Sequence, residues 1–375
     1  MFLAIERLFN KMRWALRTPN YLPNVTHRIG NKLPEVNVQY VPLQRSGSDV
    51  QIAERILKSF GKARAVEHKK ITGDIWDRIQ EKHADFYAIC HDPIQVADYL
   101  NNMNQHNITL GISSSTLGEF CTMHENEAVR QSWGVFTKDM LVCLAEAVGA
   151  LPYNLTGGNL YISEKVILDA VEEKIGISIQ SSNMEGGLYK LNVGKHLFVH
   201  RDFWSLYIAW RAVQLVGSSA TIAEIGGGMG KVAFFARQFG LRDYSIYDLP
   251  IINVVQAWYL IKSGLEVTLY GEEGRSGIAV LPYWEFEKGS SDLTINVDSF
   301  PEMDESIVVG YLGTIKKNTK KYLLSINQEE TRVYGDGRKH IVVQDIVAKV
   351  GGFKRVYRLP FWFLRNYVEE LYEID

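Results

Sequence analysis

The sequence predicts an α/β protein in which an α-helical N-terminal domain precedes a doubly wound, mostly parallel sheet. Two observations predict this fold. From about residue 200 onward, short β-branched runs alternate with segments of helical period, as in consecutive βαβ units. Before that point, helical periodicity dominates the chain. Its 375 residues are enough for two domains with hydrophobic cores of their own.

A glycine-rich turn organises the predicted sheet. A β-branched run over residues 221–225 leads into it, and a helical phase begins at Lys231. Glycine leaves the backbone open to a ligand, and the following helix offers N–H groups at its N-terminus. A second run, 244–247, ends at Asp248, about 20 residues further on. At this position a carboxylate can accept hydrogen bonds from the hydroxyl groups of a ribose. This unit predicts a nucleoside cofactor. The glycines of the turn are Gly226, Gly227, Gly228 and Gly230.

The glycine spacing discriminates between two kinds of cofactor. A dinucleotide fingerprint needs its third glycine three positions after the second, but residue 231 is lysine. Glu224, two residues before the first glycine, suits a cofactor with a cationic amino acid moiety. The turn resembles the first motif of class I S-adenosylmethionine-dependent methyltransferases, Glu-x-Gly-x-Gly-x-Gly, with an acidic residue closing the second strand. The resemblance implies a Rossmann-like fold and S-adenosylmethionine as cofactor. A nicotinamide or flavin enzyme and a non-catalytic descendant remain as alternatives.

The alternation continues after Asp248. We expect helices over 252–263, 302–315 and 340–348, strands over 265–270, 291–297 and 321–326, and a final antiparallel pair at 353–358 and 368–372. Ligands of doubly wound sheets bind outside the carboxyl ends of the strands. Residues at these ends are therefore the predicted cofactor contacts: Glu224, Gly226, Gly227, Gly228, Gly230, Asp248, Leu249, Gly271, Glu272 and Asn296.

The second half of the chain narrows the resemblance. The segments DLTINVDSFPEM at 292–303, SINQ at 325–328 and RNYVEELY at 365–372 resemble a bacterial family of sugar O-methyltransferases. Its members carry a helical region before the methyltransferase fold, and many are encoded with surface-polysaccharide genes. The resemblance implies a sugar hydroxyl as the methyl acceptor. The alternatives are a small-molecule acceptor of secondary metabolism and a non-catalytic partner in a glycan assembly complex.

Methyl transfer to a hydroxyl is an in-line displacement that needs a base near the acceptor oxygen. Asp298 and Glu302, which follow the predicted strand at 291–297, are two candidates, and His200 is a third. Solvated loop acids and a structural histidine are the alternative interpretations. A divalent metal held by Asp298 with Asp292 or Glu302 is a further option, but the sequence lacks a metal-binding spacing.

Aromatic faces and guanidinium groups are common in sugar sites. Candidate aromatic side chains are Tyr283, Trp284, Trp362 and Tyr367, and candidate cations for an acidic acceptor are Arg201, Arg358 and Arg365. Core packing or a surface position is the alternative for each.

Four segments are predicted along the chain. Residues 1–18 have the pattern of a basic amphipathic helix, which either lies on an anionic membrane or docks on the protein or a second subunit. Residues 19–48 are an extended arm or linker, 49–190 an α-helical domain, and 191–375 the methyltransferase domain.

Composition excludes several other classes of protein. The net charge of −2 gives no general attraction to nucleic acid. The three cysteines have no CxxC spacing, which argues against zinc and disulfides and for a reducing compartment. No apolar run approaches the ~20 residues that span a bilayer. We therefore expect a cytoplasmic protein, in peripheral contact with the inner membrane if residues 1–18 bind lipid.

Overall fold

The computed structural model describes residues 34–42, 45–66, 83–109, 111–112, 123–154, 157–182, 184, 187–330 and 340–374. The chain forms two compact units. The first unit comprises Met1–Arg45 and Asn101–Ile208, and the sheet unit comprises Ser46–Leu100 and Ala209–Asp375. The predicted helix at 1–18 lies outside the described residues, as do residues 19–33 of the predicted arm.

Helices and strands alternate through the second half of the described chain. The helices are α1 Asp49–Val66, α2 Ala84–Ile89, α3 Pro93–Asn101, α4 Glu127–Ala147, α5 Glu164–Ile175, α6 His200–Val216, α7 Lys231–Gln238, α8 Pro250–Lys262, α9 Glu305–Asn318 and α10 Val343–Val350. The strands are β1 Val38–Val41, β2 Leu188–Val193, β3 His196–Phe198, β4 Thr221–Ile225, β5 Asp243–Asp248, β6 Val267–Leu269, β7 Ile278–Pro282, β8 Ser291–Val297, β9 Thr319–Gln328, β10 Phe353–Pro360 and β11 Tyr367–Ile374. Among the described residues, no helix combines the length and apolarity needed to cross a membrane.

The sheet unit contains an eight-stranded sheet in the order β10-β11-β9-β8-β4-β5-β7-β6. The six strands from β9 to β6 in this order pair in parallel. Strand β11 runs antiparallel to both β9 and β10. Consecutive residues of the central strands β4, β5 and β8 are buried, as expected where helices cover both faces of a sheet of this kind. The predicted doubly wound fold is confirmed, including its antiparallel C-terminal pair.

Strand β7 is a strand that the sequence analysis did not predict. It pairs with β5, placing Pro282 opposite Asp248, and with β6, placing Val280 opposite Leu269. The predicted third strand is β6, and it lies at the edge of the sheet. Gly277, with φ +65°, precedes β7, and a Cβ there would lie 1.9 Å from the Glu266 carbonyl oxygen. Only glycine fits this close approach, which occurs in the connection from β6 to the parallel strand β7.

Helix α1 packs against α8 within the sheet unit. Lys262 forms an ion pair with Asp49, and both side chains are only 6% exposed. The Ser59 hydroxyl donates to the Tyr270 carbonyl oxygen at 3.0 Å. The predicted division at residue 190 therefore differs from the observed one. The two divisions differ because α1 makes contacts with residues about 210 positions further along the chain, which local periodicity does not reveal.

Replacing Lys262 with methionine is expected to lower the free energy of unfolding by about 3–5 kcal/mol, because Asp49 stays buried after losing its ion pair with Lys262. Denaturant unfolding followed by circular dichroism measures the loss. Lys165→Met is the matched control, since Lys165 and Asp169 form an exposed pair (65% and 53% exposed) worth under about 1 kcal/mol. Equal losses in the two variants would contradict a stabilising role for the buried pair.

The first unit combines helices with a three-stranded sheet in the order β1-β2-β3. Its longest helix, α4, begins after Asn126, whose side chain accepts hydrogen bonds from the N–H groups of Ala128 and Val129. A Cβ on Gly134 would lie 2.2 Å from a methyl carbon of Val38, so this glycine lets β1 pack closely on α4. Part of the predicted arm at 19–48 is therefore a paired strand.

Candidate active site

The glycine-rich turn joins β4 to α7. The Gly226 N–H donates to the Tyr247 carbonyl oxygen at 3.0 Å, and the Gly230 N–H donates to the Gly227 carbonyl oxygen at 2.8 Å. Gly226, Gly228 and Gly230 have φ values of 73°, 54° and 83°, a region that favours glycine. The predicted turn is thus present, directly before the N-terminus of α7.

Two of these glycines are also required by packing. A Cβ on Gly226 would lie 2.3 Å from the Ser299 hydroxyl oxygen, in the segment that follows β8. A Cβ on Gly227 would lie 2.5 Å from a methyl carbon of Ile246 and 3.1 Å from a carboxylate oxygen of Glu224. The turn is therefore pressed between β5 and the segment after β8.

Glu224 lies at the end of β4 and is 2% exposed. Its Oε2 accepts a hydrogen bond from the Tyr244 hydroxyl at 2.9 Å. Burial raises the pKa of Glu224 to about 7; the Tyr244 hydrogen bond opposes this shift, and the charge of Asp248 adds to it. A cationic group bound beside this carboxylate would favour its ionised form.

Asp248 ends β5, in the strand adjacent to Glu224. Its Oδ1 accepts from the Leu249 N–H at 2.8 Å, and its Oδ2 accepts from the Gln256 amide at 2.7 Å. Burial raises the pKa of Asp248 to about 7, while these donors and the N–H groups of Gly227 and Gly228 oppose the shift. The structure therefore brings the predicted acidic residue beside the glycine-rich turn.

Gln256 is a site residue that the sequence analysis missed. It lies in α8 with no exposed surface, and its Nε2 also donates to the Gly228 carbonyl oxygen at 3.1 Å. Its Oε1 accepts from the Asn253 side chain at 2.9 Å. A lone glutamine among the apolar residues of this helix is the sequence signal that points to it, because a buried amide needs hydrogen-bond partners.

Asn296, a predicted cofactor contact, supports the turn from β8. Its Nδ2 donates to the Ile225 carbonyl oxygen at 3.1 Å and to the Ser299 hydroxyl at 2.5 Å. Its Oδ1 is buried and has no hydrogen-bond partner among the described residues. The side chain thus links the end of β8 to the end of β4.

Leu249, Gly271 and Glu272 are the remaining predicted cofactor contacts. Leu249 follows Asp248 directly, with a buried side chain. Gly271 and Glu272 follow the edge strand β6, where Lys62 donates to the Gly271 carbonyl oxygen and Arg55 pairs with Glu272. The structure does not bring these two residues to the turn, because β7 intervenes between β5 and β6.

The residues after β7 take the position predicted for Gly271 and Glu272. They form a short 3₁₀ helix, Tyr283–Lys288, at the end of the strand that pairs with β5. The Trp284 ring contacts Tyr283 and Tyr270, with ring centroids 4.9 and 6.1 Å away. Its indole N–H is buried without a hydrogen-bond partner among the described residues. This segment is the better candidate for the base of a nucleoside.

Asp298 lies just beyond β8, one residue before the serine that contacts Gly226. Its Oδ2 accepts from the Tyr367 hydroxyl at 2.6 Å, and its N–H donates to the Ile326 carbonyl oxygen at 2.9 Å. Its φ is +56°, and Asn366 is the other described non-glycine residue with a positive φ. Such backbone conformations concentrate at functional sites. The arrangement fixes a carboxylate beside the turn.

Glu302 and Asp292 differ in position from Asp298. Glu302 ends the 3₁₀ helix Phe300–Glu302 and is partly exposed. Asp292 lies near the opposite end of β8, where its carboxylate accepts from the Thr221 N–H at 2.9 Å. Asp292 and Asp298 therefore cannot share a metal ion. Within the described ranges, no group of three or more His, Cys, Asp or Glu side chains forms a metal site.

His200 belongs to the first unit and is 6% exposed. Its ring packs against Trp133, Phe136 and Trp204, with centroids 4.8, 5.1 and 5.2 Å away. These contacts give His200 a packing role, and we do not retain it as a base. Arg201 lies over the Trp204 ring at 5.1 Å in the same cluster.

The candidate sugar contacts separate into two groups. Trp362 is 43% exposed in the loop between β10 and β11, the loop that leads into Tyr367. Arg358, in contrast, makes a bidentate pair with Glu329 and also donates to Glu370, and these hydrogen bonds raise its pKa. Arg358 is therefore already matched with carboxylates of the protein.

No protein-family model matches the sequence, and no curated protein matches it. One solved structure that matches is magnesium protoporphyrin IX methyltransferase from Synechocystis PCC 6803 with bound S-adenosylhomocysteine. The sequence identity is 12% and the TM-score is 0.33, and the match covers 48% of this chain and 88% of that chain. A second is 1,6-didemethyltoxoflavin-N1-methyltransferase from Burkholderia thailandensis, at 14% identity, TM-score 0.33, 46% of this chain and 81% of that chain. TM-scores this low carry no argument about the reaction. The strand order, with β11 antiparallel between β9 and β10, is that of a Rossmann-like methyltransferase sheet, to which β6 adds an edge strand.

Proposed function

We propose that the protein is an S-adenosylmethionine-dependent O-methyltransferase that methylates a sugar hydroxyl of a bacterial surface polysaccharide or its precursor. One observation carries this proposal. Two carboxylates, Glu224 and Asp248, flank a glycine-rich turn at the carboxyl edge of a sheet with the methyltransferase strand order. Such a site suits a ligand with both a cationic amino acid moiety and a ribose.

The residues present fit this cofactor. The turn has no side chains at 226–228, so a ligand can approach its backbone closely. Burial raises the pKa of both Glu224 and Asp248 to about 7, so the positive charge of the cofactor would favour the ionised forms that bind it. The buried Asn296 oxygen is a further acceptor in the same place.

Asp298 is the base that we assign to the reaction. When bound, S-adenosylmethionine supplies a methyl group on a positively charged sulfur. Asp298 would take the proton of the acceptor hydroxyl, whose oxygen would receive the methyl group that the bound cofactor supplies. The products are the methyl ether and S-adenosylhomocysteine. The hydrogen bond from Tyr367 holds the carboxylate in place for this proton transfer.

The sugar acceptor is supported by the end of the sheet that contains Asp298. The Asn327 side-chain oxygen, at the end of β9, is buried without a hydrogen-bond partner among the described residues. Hydroxyl groups can donate to such an oxygen. The exposed Trp362 offers the kind of face that packs on a sugar ring. The sequence resemblance over 292–303 supports the same acceptor class.

Calorimetric titration with S-adenosylhomocysteine tests the cofactor. We expect micromolar binding by the natural protein and a loss of about 100-fold or more in Asp248→Ala, because charge-assisted hydrogen bonds to the ribose disappear. Asp243→Ala is the matched control, since Asp243 begins the same strand and pairs with Arg275. Absence of binding by the folded natural protein would contradict the proposal.

Incubation with S-adenosylmethionine and separate panels of nucleotide sugars, lipid-linked sugars and phenolic compounds tests the acceptor. Mass spectrometry detects the added methylene mass on the product. Methylation of a sugar hydroxyl is expected. Methylation confined to the phenolic panel would overturn the sugar assignment and leave the cofactor assignment intact.

A further inference from the structure

A single buried amide connects the glycine-rich turn to the end of β5. Gln256 donates from Nε2 to the Asp248 carboxylate at 2.7 Å and to the Gly228 carbonyl oxygen at 3.1 Å. Asn253 donates to the other end of the amide at 2.9 Å. The Gln256 side chain has no exposed surface, and its acceptors on Asp248 and Gly228 are partly buried.

The chemistry of this position suits glutamine. An amide nitrogen has two hydrogens, and here one goes to a carboxylate and one to a carbonyl oxygen. An apolar residue at 256 would remove this donor from the Asp248 carboxylate and the Gly228 carbonyl oxygen, which are both partly buried. A glutamate at 256 would have no donor when ionised and would repel Asp248.

We propose that Gln256 is a positioning residue that fixes Asp248 and the glycine-rich turn in the one geometry that binds the cofactor. This inference rests on the proposed function, because it concerns the site assigned to S-adenosylmethionine. Gln256 acts through Asp248, at the end of β5, and the Gly228 carbonyl group, in the turn after β4.

The same hydrogen bond favours the ionised form of Asp248. Besides Asp248, the ionisable groups of β4 and β5 are Glu224, Asp243, Tyr244 and Tyr247, and the Tyr244 hydroxyl donates to Glu224. Strand β7 brings Pro282 opposite Asp248, and α8 brings Gln256. Burial raises the pKa of Asp248 to about 7, and the Gln256 donor opposes that rise. Cofactor binding should therefore weaken as pH falls through about 7, and loss of the donor should move this change to higher pH.

Titration of S-adenosylhomocysteine at a series of pH values from about 6 to 9 tests the proposal. In Gln256→Leu we expect affinity to fall about tenfold or more and the pH of half-maximal affinity to rise by about one unit. In Gln256→Glu we expect the largest loss at high pH, where the new side chain is ionised. The loss should shrink at low pH, because a neutral carboxyl group can donate one hydrogen bond.

Ser263→Ala is the control, at the other end of the same helix, where the serine donates to the Tyr259 carbonyl oxygen. It is expected to bind like the natural protein. Unchanged affinity and pH dependence in Gln256→Leu would overturn the inference while leaving the proposed function in place. No binding by the natural protein would instead defeat the proposed function. If Gln256→Leu does not fold, Gln256→Glu decides: a loss that is equal at all pH values overturns the positioning role.

Discussion

Replacing Asp298 with asparagine is expected to lower kcat for methyl transfer by about 10²–10⁴-fold, the usual contribution of a positioned general base. Asparagine keeps the shape of the side chain and still accepts the hydrogen bond from Tyr367, but it cannot take a proton. Affinity for S-adenosylhomocysteine should stay within about twofold, since this carboxylate faces the acceptor in our assignment. Rates with the sugar acceptor and calorimetry with the product measure the two effects.

Asp292→Asn is the control for that experiment. It makes the same chemical change near the amino end of β8, where the side chain accepts from the Thr221 N–H. We expect it to leave kcat unchanged. An active Asp298→Asn enzyme would rule out Asp298 as the base and direct attention to Glu302, which lies in the same segment.

Replacing Gly226 with alanine is expected to weaken binding of S-adenosylhomocysteine by about 100-fold or more. The added Cβ would lie 2.3 Å from the Ser299 hydroxyl oxygen, at a residue whose φ is +73°. Ser299 cannot simply turn away, because its hydroxyl accepts from Asn296 and donates to the Ile225 carbonyl oxygen. The turn or the segment that carries Asp298 must shift. Calorimetry measures the loss of affinity.

Gly217→Ala separates the steric effect from the backbone effect. Gly217 has φ +81°, but no atom lies within 4 Å of the position of an added Cβ. This variant has the same unfavourable backbone conformation without the collision. It should lose some stability and keep its affinity for S-adenosylhomocysteine. Similar affinities in the two alanine variants would show that the contact with Ser299 does not matter for binding.

The glycine-rich turn and its two carboxylates could be predicted because their chemistry is local. Glu224 and Asp248 are only 24 positions apart, within one βαβ unit whose period is visible in the chain. The parallel pairing of β4 with β5 then brings the two strand ends together. Because Glu224 and Asp248 lie near the carboxyl ends of these two strands, the strand boundaries predict that both residues are at the site.

The positions of Gly271 and Glu272 show that the local sequence pattern does not give the order of the strands in the sheet. Strand β6 precedes β7 in the chain but lies outside it in the sheet. Periodicity identifies a strand without giving its neighbours, so it predicts the strand at 265–270 but not its position at the edge of the sheet. The glycine-rich stretch before β7 also concealed that short strand.

Side-chain partners from distant segments were equally hidden. The hydrogen bond from Tyr367 to Asp298 joins residues 69 positions apart, and that from Ser59 to Tyr270 joins residues 211 positions apart. His200 shows the converse: its sequence context suggested a cleft, whereas three aromatic rings surround it. Burial of this kind depends on tertiary packing, which a single sequence does not determine.

The pairing of α1 with α8 has a consequence for synthesis of the chain. Asp49 leaves the ribosome 213 residues before Lys262, its partner in the sheet unit. At elongation rates of about 5–20 residues per second, this separation corresponds to about 10–40 s. During that interval Phe60 can already contact Phe86 and Tyr87 of α2, but α8, against which α1 also packs, is still missing. The sheet unit can therefore close only late in translation.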